Sequence, residues 1–432
     1  MDYLWSTGLE APFFPPLQGD ERCDVLVIGG GMAGVLCALE LKKRNIDCIL
    51  AEAETPGSGV TRGTTAVLSA QHDTLYTKLI SDFGREKAGL YLRANLDAIE
   101  RFEALSSQFP CDFQYKDSYM YTRSAPRALE AEARTVRDLG FPAEFVRSTN
   151  LPFPVAGAVR YPDMAQFHPL KLLYQAAREL KIYSHTQVTR ISGGVAETTG
   201  GRIRAKKYVV ATHFPFINSH GMYFMKMYQS RSCVLALENA PELDGTYTCT
   251  EESDLYFRNW ENLLLIGGGD RRTGTAKGGF APVREAARKY FPEAKERFAW
   301  AAQDCMSLDG VPYIGRYSPG TPEIFVATGF NEWGMTSSMA ASMILADLIE
   351  GRENRFAPVF DPQRGMMKAQ LLYNTWETAA DFVIPTPRRC SHLGCALRWN
   401  SEEQTWDCPC HGSRFTSDGT LLDGPAQRDA LV

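Results

Sequence analysis

The sequence predicts an α/β fold interleaved with an antiparallel sheet, followed by a small separate module at the C-terminal end. Three observations predict this fold. A strand, a glycine-rich turn, a helix and a second strand follow one another between residues 24 and 53. Strand-like segments separated by Gly, Pro and Asn recur between residues 187 and 267. Four of the 11 cysteines crowd between Cys390 and Cys410, beside two of the 7 histidines.

Composition and charge exclude several classes of protein. The 432 residues, 44% of them hydrophobic and 22% charged, are enough for two or three folding units. A formal net charge of −5 gives no electrostatic reason to expect a nucleic-acid or anionic-membrane partner. Apolar runs such as 25–28 and 263–266 are far shorter than the roughly 20 residues that cross a bilayer. The first residues lack a basic start, an apolar middle and a cleavage site, so we expect no secretory signal, no membrane span and a cytoplasmic location.

The N-terminal elements form one βαβ unit. Residues 24–28 and 48–53 are short apolar strands, and residues 32–44 have the apolar spacing of an amphipathic helix. Helical spacing recurs at 74–106 and 169–180. Later in the chain, strands are predicted at 187–191, 207–211, 231–237 and 263–267, and a helix at 335–349.

The βαβ unit carries a dinucleotide-binding motif. Gly29, Gly31 and Gly34 form GxGxxG directly after the first strand, and Glu52 lies near the end of the second. The first glycine allows a tight turn, the second lets the backbone approach a pyrophosphate, and the third permits close packing of helix on strand. Glu52 can accept hydrogen bonds from ribose hydroxyls, and its charge disfavours the 2′-phosphate of NADP. The motif alone often forms an ordinary flexible turn, but the flanking strands and the acid favour a dinucleotide.

Three segments resemble the D-amino-acid oxidase and glycine oxidase family of FAD enzymes. They are VLVIGGGMAGVLCALEL at 25–41, VVATHFPF at 209–216 and LDGVPYIGRYSPGTPEIFVATGFNEWGMTSS at 308–338. The resemblance implies FAD as the cofactor. Within residues 1–355 it implies an α/β, Rossmann-like FAD-binding domain of the D-amino-acid oxidase type, interleaved with an antiparallel-sheet substrate domain. FAD-binding segments are expected at about 20–95, 155–215 and 300–355, and substrate-domain segments at about 96–154 and 216–299.

The resemblance also implies individual contacts to FAD. Val188 meets the adenine through its backbone, and Thr64 and Thr65 lie near the pyrophosphate or the isoalloxazine. An ordinary helix start at 63–65 stays open as an alternative. The segment that begins at Asp309 lies along the flavin. The predicted cofactor-binding residues are Gly29, Gly31, Met32, Ala33, Gly34, Glu52, Thr64, Thr65, Val188, Asp309, Gly329, Gly334, Met335 and Thr336.

Substrate contacts are expected from segments that the resembled family places over the flavin face. An arginine there could bind a substrate carboxylate through two hydrogen bonds. An ordinary packing role stays open for each candidate, because aromatic residues beside strands usually belong to the core. The candidates are Arg231, Tyr256, Arg258 and Trp333 as catalytic residues, Tyr228 and Asn331 beside them, and His72, His168 and His213, for which a structural role is favoured.

Two cysteine-histidine hairpins form the most specific signal in the sequence. They are CSHLGC at 390–395 and CPCHGS at 408–413. One iron of a Rieske 2Fe-2S cluster takes two thiolates and the other takes two imidazoles, so each hairpin must supply one cysteine and one histidine. A zinc site of four thiolates, or of two thiolates and two imidazoles, is the alternative. The predicted cluster ligands are Cys390, His392, Cys408 and His411.

The hairpins resemble those of the Rieske proteins of cytochrome bc complexes. The resemblance implies a disulfide between Cys395 and Cys410 and a hydrogen bond from Ser413 to a cluster sulfide. The expected module spans 386–432, after a proline-containing linker at 356–385 that suits a surface connector. Because little strand-like sequence surrounds the hairpins, this all-β module is expected to find support in the flavin-binding domain.

Together the two cofactors predict an electron relay. A reduced flavin holds two electrons, whereas a 2Fe-2S cluster accepts one at a time. The resemblance implies an amine or amino-acid substrate oxidised by hydride transfer to the flavin. If the cluster drains the flavin, a redox protein or a quinone is the expected acceptor in place of oxygen. Two alternatives stay open: a reductase that runs electrons from cluster to FAD, and an electron-transfer or redox-sensing protein without a small-molecule substrate. The whole chain resembles the bacterial FAD-dependent oxidoreductases that carry a C-terminal Rieske domain.

Overall fold

The computed structural model describes residues 3–251, 255–275, 278–365, 370–372, 374, 381 and 384–432. Its helices are α1 (Met32–Lys43), α2 (Leu75–Phe83), α3 (Arg85–Gln108), α4 (Pro126–Asp138), α5 (Pro169–Arg178), α6 (Tyr223–Lys226), α7 (Phe280–Tyr290), α8 (Gly334–Glu350) and α9 (Ala357–Phe360), with 3-10 turns at Leu4–Ser6 and Val60–Gly63. Its strands are β1 (Glu21–Ile28), β2 (Cys48–Ala51), β3 (Val67–Leu68), β4 (Gln114–Thr122), β5 (Glu144–Val146), β6 (Gly157–Gln166), β7 (Ile182–Tyr183), β8 (Val188–Ser192), β9 (Val195–Thr198), β10 (Gly201–Val210), β11 (Met227–Glu238), β12 (Gly245–Cys249), β13 (Tyr256–Trp260), β14 (Leu263–Arg272), β15 (Lys295–Ser307), β16 (Tyr313–Arg316), β17 (Ile324–Thr328), β18 (Arg398–Asn400), β19 (Thr405–Asp407), β20 (Arg414–Phe415) and β21 (Leu421–Asp423).

The first sheet contains the predicted βαβ unit. Its strands have the order β16-β17-β10-β1-β2-β7, with β8 and β9 joined to β10. β1 pairs in parallel with β2 and β10, and β10 pairs in parallel with β17. Residues 25–28 of β1 are all buried, as expected for the centre of a parallel sheet with elements packed on its faces. α1 is buried along most of its length and packs against α8, so the α/β architecture predicted from the sequence is confirmed.

The second sheet is the predicted, largely antiparallel one. Its order is β15-β11-β14-β13-β12-β4-β6-β3, with β5 on β6, and only the β4–β12 pair is parallel among the described strands. We expected residues 67–68 and 157–166 to belong to the FAD-binding segments, but β3 and β6 lie in this second sheet. The reason is pairing: β6 follows β4 from Gln166 opposite Gln114 to Gly157 opposite Thr122. The two sheets and their helices, residues 3–365, are called the N-terminal domain below.

Two other expectations needed adjustment. The helical stretch predicted at 74–106 is two helices, α2 and α3, because Gly84 between them has a φ of +85°. The linker predicted at 356–385 does not begin as a surface connector, since Phe356 and Phe360 are buried in the main core. Within that linker, residues 366–369, 373, 375–380 and 382–383 lie outside the described residues.

The C-terminal module, residues 386–432, is built on the small antiparallel sheet β18-β19-β20-β21. Four of the residues in its buried apolar cluster are cysteines, beside Leu397, Phe415 and Ala426. Such a small core offers little hydrophobic stabilisation of its own, which agrees with the expected support from the N-terminal domain. Among the described residues, no helix combines the length and the apolar character that a membrane crossing requires.

Candidate functional site

The glycine-rich turn between β1 and α1 has the geometry of a pyrophosphate site. Gly29 has a φ of +107°, and a Cβ atom there would lie 2.5 Å from the Ala211 carbonyl oxygen. A Cβ atom at Gly34 would lie 1.9 Å from the Gly29 carbonyl oxygen, so neither position accepts a side chain. At Gly31, by contrast, a Cβ atom would meet only the Thr61 hydroxyl, at 3.5 Å. The turn is therefore tightly packed at Gly29 and Gly34 and open at Gly31, which fits the approach of a dinucleotide.

Glu52 is held where a ribose acceptor is needed. Its Oε2 accepts from the Gly30 N–H at 2.5 Å, and its Oε1 accepts from the Glu54 N–H at 2.8 Å. Burial raises the pKa of Glu52, while the amides of Glu54 and Gly30 oppose the rise. Val188, the predicted adenine contact, is buried at the start of β8. The contacts of both residues to FAD stay predictions.

The segment at 63–66 is not a helix start. Thr64 is extended and follows the 3-10 turn that ends at Gly63. Trp300 Nε1 donates to the Gly63 carbonyl at 2.8 Å, and Trp5 Nε1 donates to the Thr64 carbonyl at 2.6 Å. Arg258 donates to the carbonyls of residues 65 and 66. The second sheet and the N-terminal residues thus fix this loop beside the dinucleotide turn.

Other predicted residues shape the loops around α8. The Asp309 carboxylate is 2% exposed and binds Arg364, at 2.7 and 2.8 Å, while Lys78 donates to its carbonyl at 3.0 Å. Asp309 therefore holds its loop in shape and does not offer its side chain to a ligand. Asn331 bridges the Ser307 N–H and the Gly329 carbonyl, each at 2.7 Å. Gly334, Met335 and Thr336 form the first turn of α8.

The substrate role predicted for Arg231 is wrong. Arg231 is 4% exposed and pairs with Glu403 of the C-terminal module, with Nε at 2.6 Å from Oε1. Because the guanidinium is buried and its Nε and Nη2 both bind Glu403, the structure gives Arg231 a role in docking the module. Tyr228 also faces the module's side, because the Arg272 guanidinium lies 4.9 Å from its ring centre.

Arg258 has no carboxylate partner among the described residues, and its buried Nε and Nη2 have no hydrogen-bond partner there. Its guanidinium lies over the rings of both Trp5 and Trp260, at 5.3 and 5.2 Å from their centres, and these two rings pack edge to face on each other. Burial lowers its pKa to about 9. Its hydrogen bonds to the loop at 65–66 make it a residue that positions the loop.

Two of the three histidines have the favoured structural role. His72 binds the Tyr91 hydroxyl at 2.7 Å and the Ser69 carbonyl at 2.9 Å, and burial lowers its pKa to about 3. His168 accepts from the Lys171 N–H at the start of α5. Trp333 stacks on His72 with 4.8 Å between ring centres. The histidine thus fixes the orientation of a predicted catalytic residue.

Sequence analysis missed a group of carboxylates beside Tyr256. Burial, then the charges of Asp304 and Asp73, raise the pKa of Asp270 to about 7. Burial and the same neighbours raise the pKa of Glu332, and burial raises that of Asp304. Asp73 and Glu332 are exposed and Asp270 and Asp304 are half-buried, and the charges of Asp73 and Asp304 act on both Asp270 and Glu332. We call the region around Asp73, Asp270, Asp304 and Glu332 the acidic recess.

The acidic recess has no local signal in the sequence. Its members come from a loop after β3, from β14, from β15 and from the turn before α8. Tyr256 lies in the field of Asp270 and Glu332, and its hydroxyl donates to Ser232 at 3.3 Å. His213, with a φ of +63°, faces Asp304, and its Nε2 has no hydrogen-bond partner among the described residues. Only the fold brings these residues together.

The predicted cluster ligands converge in the C-terminal module. The rings of His392 and His411 are perpendicular, with 5.0 Å between their centres. The Nδ1 atoms of both rings are buried and have no hydrogen-bond partner among the described residues. The Cys390 and Cys408 thiols hydrogen-bond to each other. Two free imidazole nitrogens beside two thiols fit the ligand set of a Rieske cluster.

The predicted disulfide between Cys395 and Cys410 is not part of this structure, in which both residues are thiols. The sulfur atoms of Cys395, Cys408 and Cys410 all lie within 4.8 Å of one another. Cys395 hydrogen-bonds to both neighbours, so the three thiols share one site instead of forming an isolated pair. Ser413 hydrogen-bonds to the Cys390 thiol and accepts from the Ala426 N–H at 3.1 Å.

The two histidines face the N-terminal domain. The Phe214 ring centre lies 6.3 Å from that of His392 and 6.0 Å from that of His411. His392 Nε2 is 2.9 Å from Asn218 Nδ2 and 3.1 Å from its Oδ1, so the amide meets the imidazole edge. Phe214 follows His213, whose carbonyl accepts from the Thr328 hydroxyl. A continuous set of contacts therefore connects the loop before α8 with the cluster histidines.

Comparison with known proteins matches both parts of the chain. The FAD dependent oxidoreductase family model matches residues 24–348, and the Rieske [2Fe-2S] domain matches residues 375–431. YhfW of Bacillus subtilis (strain 168), which is named as a Rieske 2Fe-2S iron-sulfur protein, is 32% identical over 98% of this chain and 95% of its own. Glycine oxidase of Geobacillus kaustophilus (strain HTA426) is 25% identical over 78% of this chain and 95% of its own. A crystal structure of glycine oxidase from Geobacillus kaustophilus superimposes with a TM-score of 0.67 and 23% identity, covering 80% of this chain and 99% of that one.

Proposed function

Since the chain belongs to the FAD-dependent oxidoreductase family and carries a C-terminal Rieske [2Fe-2S] domain, we propose that it oxidises an amine or amino acid and passes the electrons singly to its own cluster. Its cofactors are FAD and a Rieske 2Fe-2S cluster, not zinc. When bound, FAD would accept a hydride from the carbon beside the substrate nitrogen, and the cluster held by Cys390, His392, Cys408 and His411 would accept one electron at a time. The nitrogen loses a proton, and water hydrolyses the resulting imine to a carbonyl compound and a free amine or ammonia.

The observation that carries this proposal is the orientation of the cluster histidines. His392 and His411 pack against Phe214, and Asn218 meets His392. The same segment is hydrogen-bonded to Thr328, which precedes the loop expected along the flavin. The two histidines that would hold the cluster therefore lie on the side of the module that contacts the FAD-binding domain.

The acidic recess supports a substrate that carries an amino group. An ammonium cation among these four acidic side chains would favour their ionised forms, and Asp270, whose pKa burial and neighbouring charges raise to about 7, can hold the proton that the nitrogen must lose. Glycine oxidase, a relative by sequence, is named for a substrate with an amino group.

The test is an anaerobic screen of amines and amino acids on the holoprotein. Flavin bleaching is followed optically, and cluster reduction is followed by electron paramagnetic resonance. Bleaching followed by a Rieske signal supports the relay. Bleaching without a cluster signal removes the relay and leaves a flavoenzyme. A cluster signal that appears before the flavin bleaches supports the reverse, reductase direction, in which electrons pass from the cluster to FAD.

The electron acceptor is proposed to be a redox protein or a quinone. Oxygen as the main acceptor would give peroxide at the rate of substrate turnover, which a peroxide assay in air detects. If no compound in the screen bleaches the flavin, an electron-transfer or redox-sensing role replaces the enzymatic one. The cytoplasmic location stays a prediction.

A further inference from the structure

The N-terminal domain holds the backbone of the cluster loop, residues 408–412. Arg272 donates from Nε to the Pro409 carbonyl at 2.9 Å and from Nη2 to the Cys410 carbonyl at 3.2 Å. Gln229 Nε2 donates to the His411 carbonyl at 2.7 Å. Gln303 Nε2 donates to the Gly412 carbonyl at 2.9 Å. Four consecutive carbonyls of the loop are thus bound by side chains of β11, β14 and β15.

The two surfaces are in close contact at this point. A Cβ atom at Gly412 would lie 2.7 Å from Gln229 Cβ, and one at Gly274 would lie 2.8 Å from the Pro409 nitrogen. Neither glycine can gain a side chain without moving backbone or the glutamine. The N-terminal domain therefore takes the place of the supporting layer that the small module lacks.

Arg272 differs from the two glutamines because it carries a permanent charge. Its Nη1 donates to Asn374 Oδ1 at 2.9 Å, and its guanidinium lies over the Tyr228 ring at 4.9 Å. These contacts keep the cation against the loop that carries Cys408, Cys410 and His411. Reduction adds one negative charge to a 2Fe-2S cluster, so a fixed cation beside it stabilises the reduced form more than the oxidised form.

We propose that Arg272 is a positioning residue of the N-terminal domain that holds the cluster loop and raises the reduction potential of the Rieske cluster. The role depends on the cluster and not on the substrate. It makes the flavin-binding part of the chain a part of the iron-sulfur site.

The test is a potentiometric titration of the holoprotein, with the reduced cluster followed by electron paramagnetic resonance. Arg272→Gln removes the charge and one of the two carbonyl contacts, and we expect a more negative midpoint potential. Arg272→Lys keeps the charge but reaches one carbonyl, and we expect a smaller shift in the same direction. The matched control is Arg271→Gln. Arg271 pairs with Glu402 and Glu403 of the same module, away from the cluster loop, so its substitution should leave the potential close to wild type.

The outcomes decide the proposal. An R272Q potential equal to that of wild type, or shifted no further than that of R271Q, overturns it. If R272Q does not retain its cluster, R272K decides: a more negative potential supports the role of Arg272, and an unchanged or more positive one overturns it. The measurement uses a chemical reductant, so it stands whether or not a substrate is found.

Discussion

Replacing Glu403 by Gln tests the ion pairs that dock the C-terminal module. The Glu403 side chain is 2% exposed and binds Arg231 of the N-terminal domain and, at 2.8 Å, Arg414 of its own module. Burial raises the pKa of Glu403, but Arg231, Arg414 and Arg271 outweigh burial and lower it from 4.5 to about 2. At about 1.36 kcal/mol per pKa unit, this difference corresponds to about 3 kcal/mol. Removing one partner of a buried pair typically costs a similar ~3–5 kcal/mol.

We therefore expect Glu403→Gln to lower the free energy of unfolding by about 3 kcal/mol. The assay is urea denaturation of the holoprotein, followed by the visible circular dichroism of the cluster. The contribution of Glu403 is present above pH 4.5 and is lost as the pH falls toward about 2, because its folded-state pKa is the lower one. Wild type should therefore lose stability relative to E403Q over that range.

The matched control is the exposed pair of Arg284 and Glu296, at 2.8 Å with side chains 42% and 36% exposed. Such pairs contribute about 0–1 kcal/mol, so Glu296→Gln should change little. If E403Q loses no more stability than E296Q, the ion pairs do not dock the module and the reasoning is refuted.

Three further predictions follow from the same geometry. Gly34→Ala should lose most of its FAD, because its Cβ would lie 1.9 Å from the Gly29 carbonyl oxygen. The control Gly59→Ala, which has open space around it, should keep the wild-type ratio of flavin to protein absorbance. Equal ratios in the two variants would contradict the packing argument. In stopped-flow mixing with substrate, Phe214→Leu should leave the rate of flavin bleaching unchanged and slow the cluster reduction that follows, because the Phe214 ring lies against both cluster histidines. An unchanged rate of cluster reduction would show that electrons do not pass by way of Phe214. The rate of flavin bleaching should rise with pH through about 7, because Asp270 can act as a base only after it has lost its proton. Asp270→Asn should flatten this part of the pH profile. The same rise in D270N would mean that another group accepts the proton.

Local sequence patterns predicted the parts of the fold that depend on neighbours in the chain. The βαβ unit at residues 21–51 was predictable because a buried strand, GxGxxG and a helix must follow one another. The break between α2 and α3 depends on one glycine inside a continuous helical pattern, so the pattern hid it. The membership of β3 and β6 in the second sheet depends on which strand they meet, and that pairing has no signal within the strands themselves.

The candidate site likewise contains residues that local sequence patterns predicted and residues that they did not. The six cysteines and histidines of the hairpins were found because metal ligands repeat at short, fixed spacing. Arg231 was misassigned because its partner, Glu403, lies 172 residues further along the chain. The acidic recess was missed for a similar reason, since Asp270, Asp304 and Glu332 come from three different elements. Residue type alone did not distinguish a substrate-binding arginine from one that docks another module.

Docking serves two purposes that can be measured separately. The ion pairs around Glu403 join the module to the N-terminal domain at the turn between β18 and β19. The hydrogen bonds of Arg272, Gln229 and Gln303 act at the cluster loop itself. The first set joins the module, whose own core is small, to the N-terminal domain, whereas the second set holds the backbone of the loop that carries the predicted ligands Cys408 and His411. Loss of stability in E403Q and a shifted potential in R272Q would therefore report on different contacts of one interface.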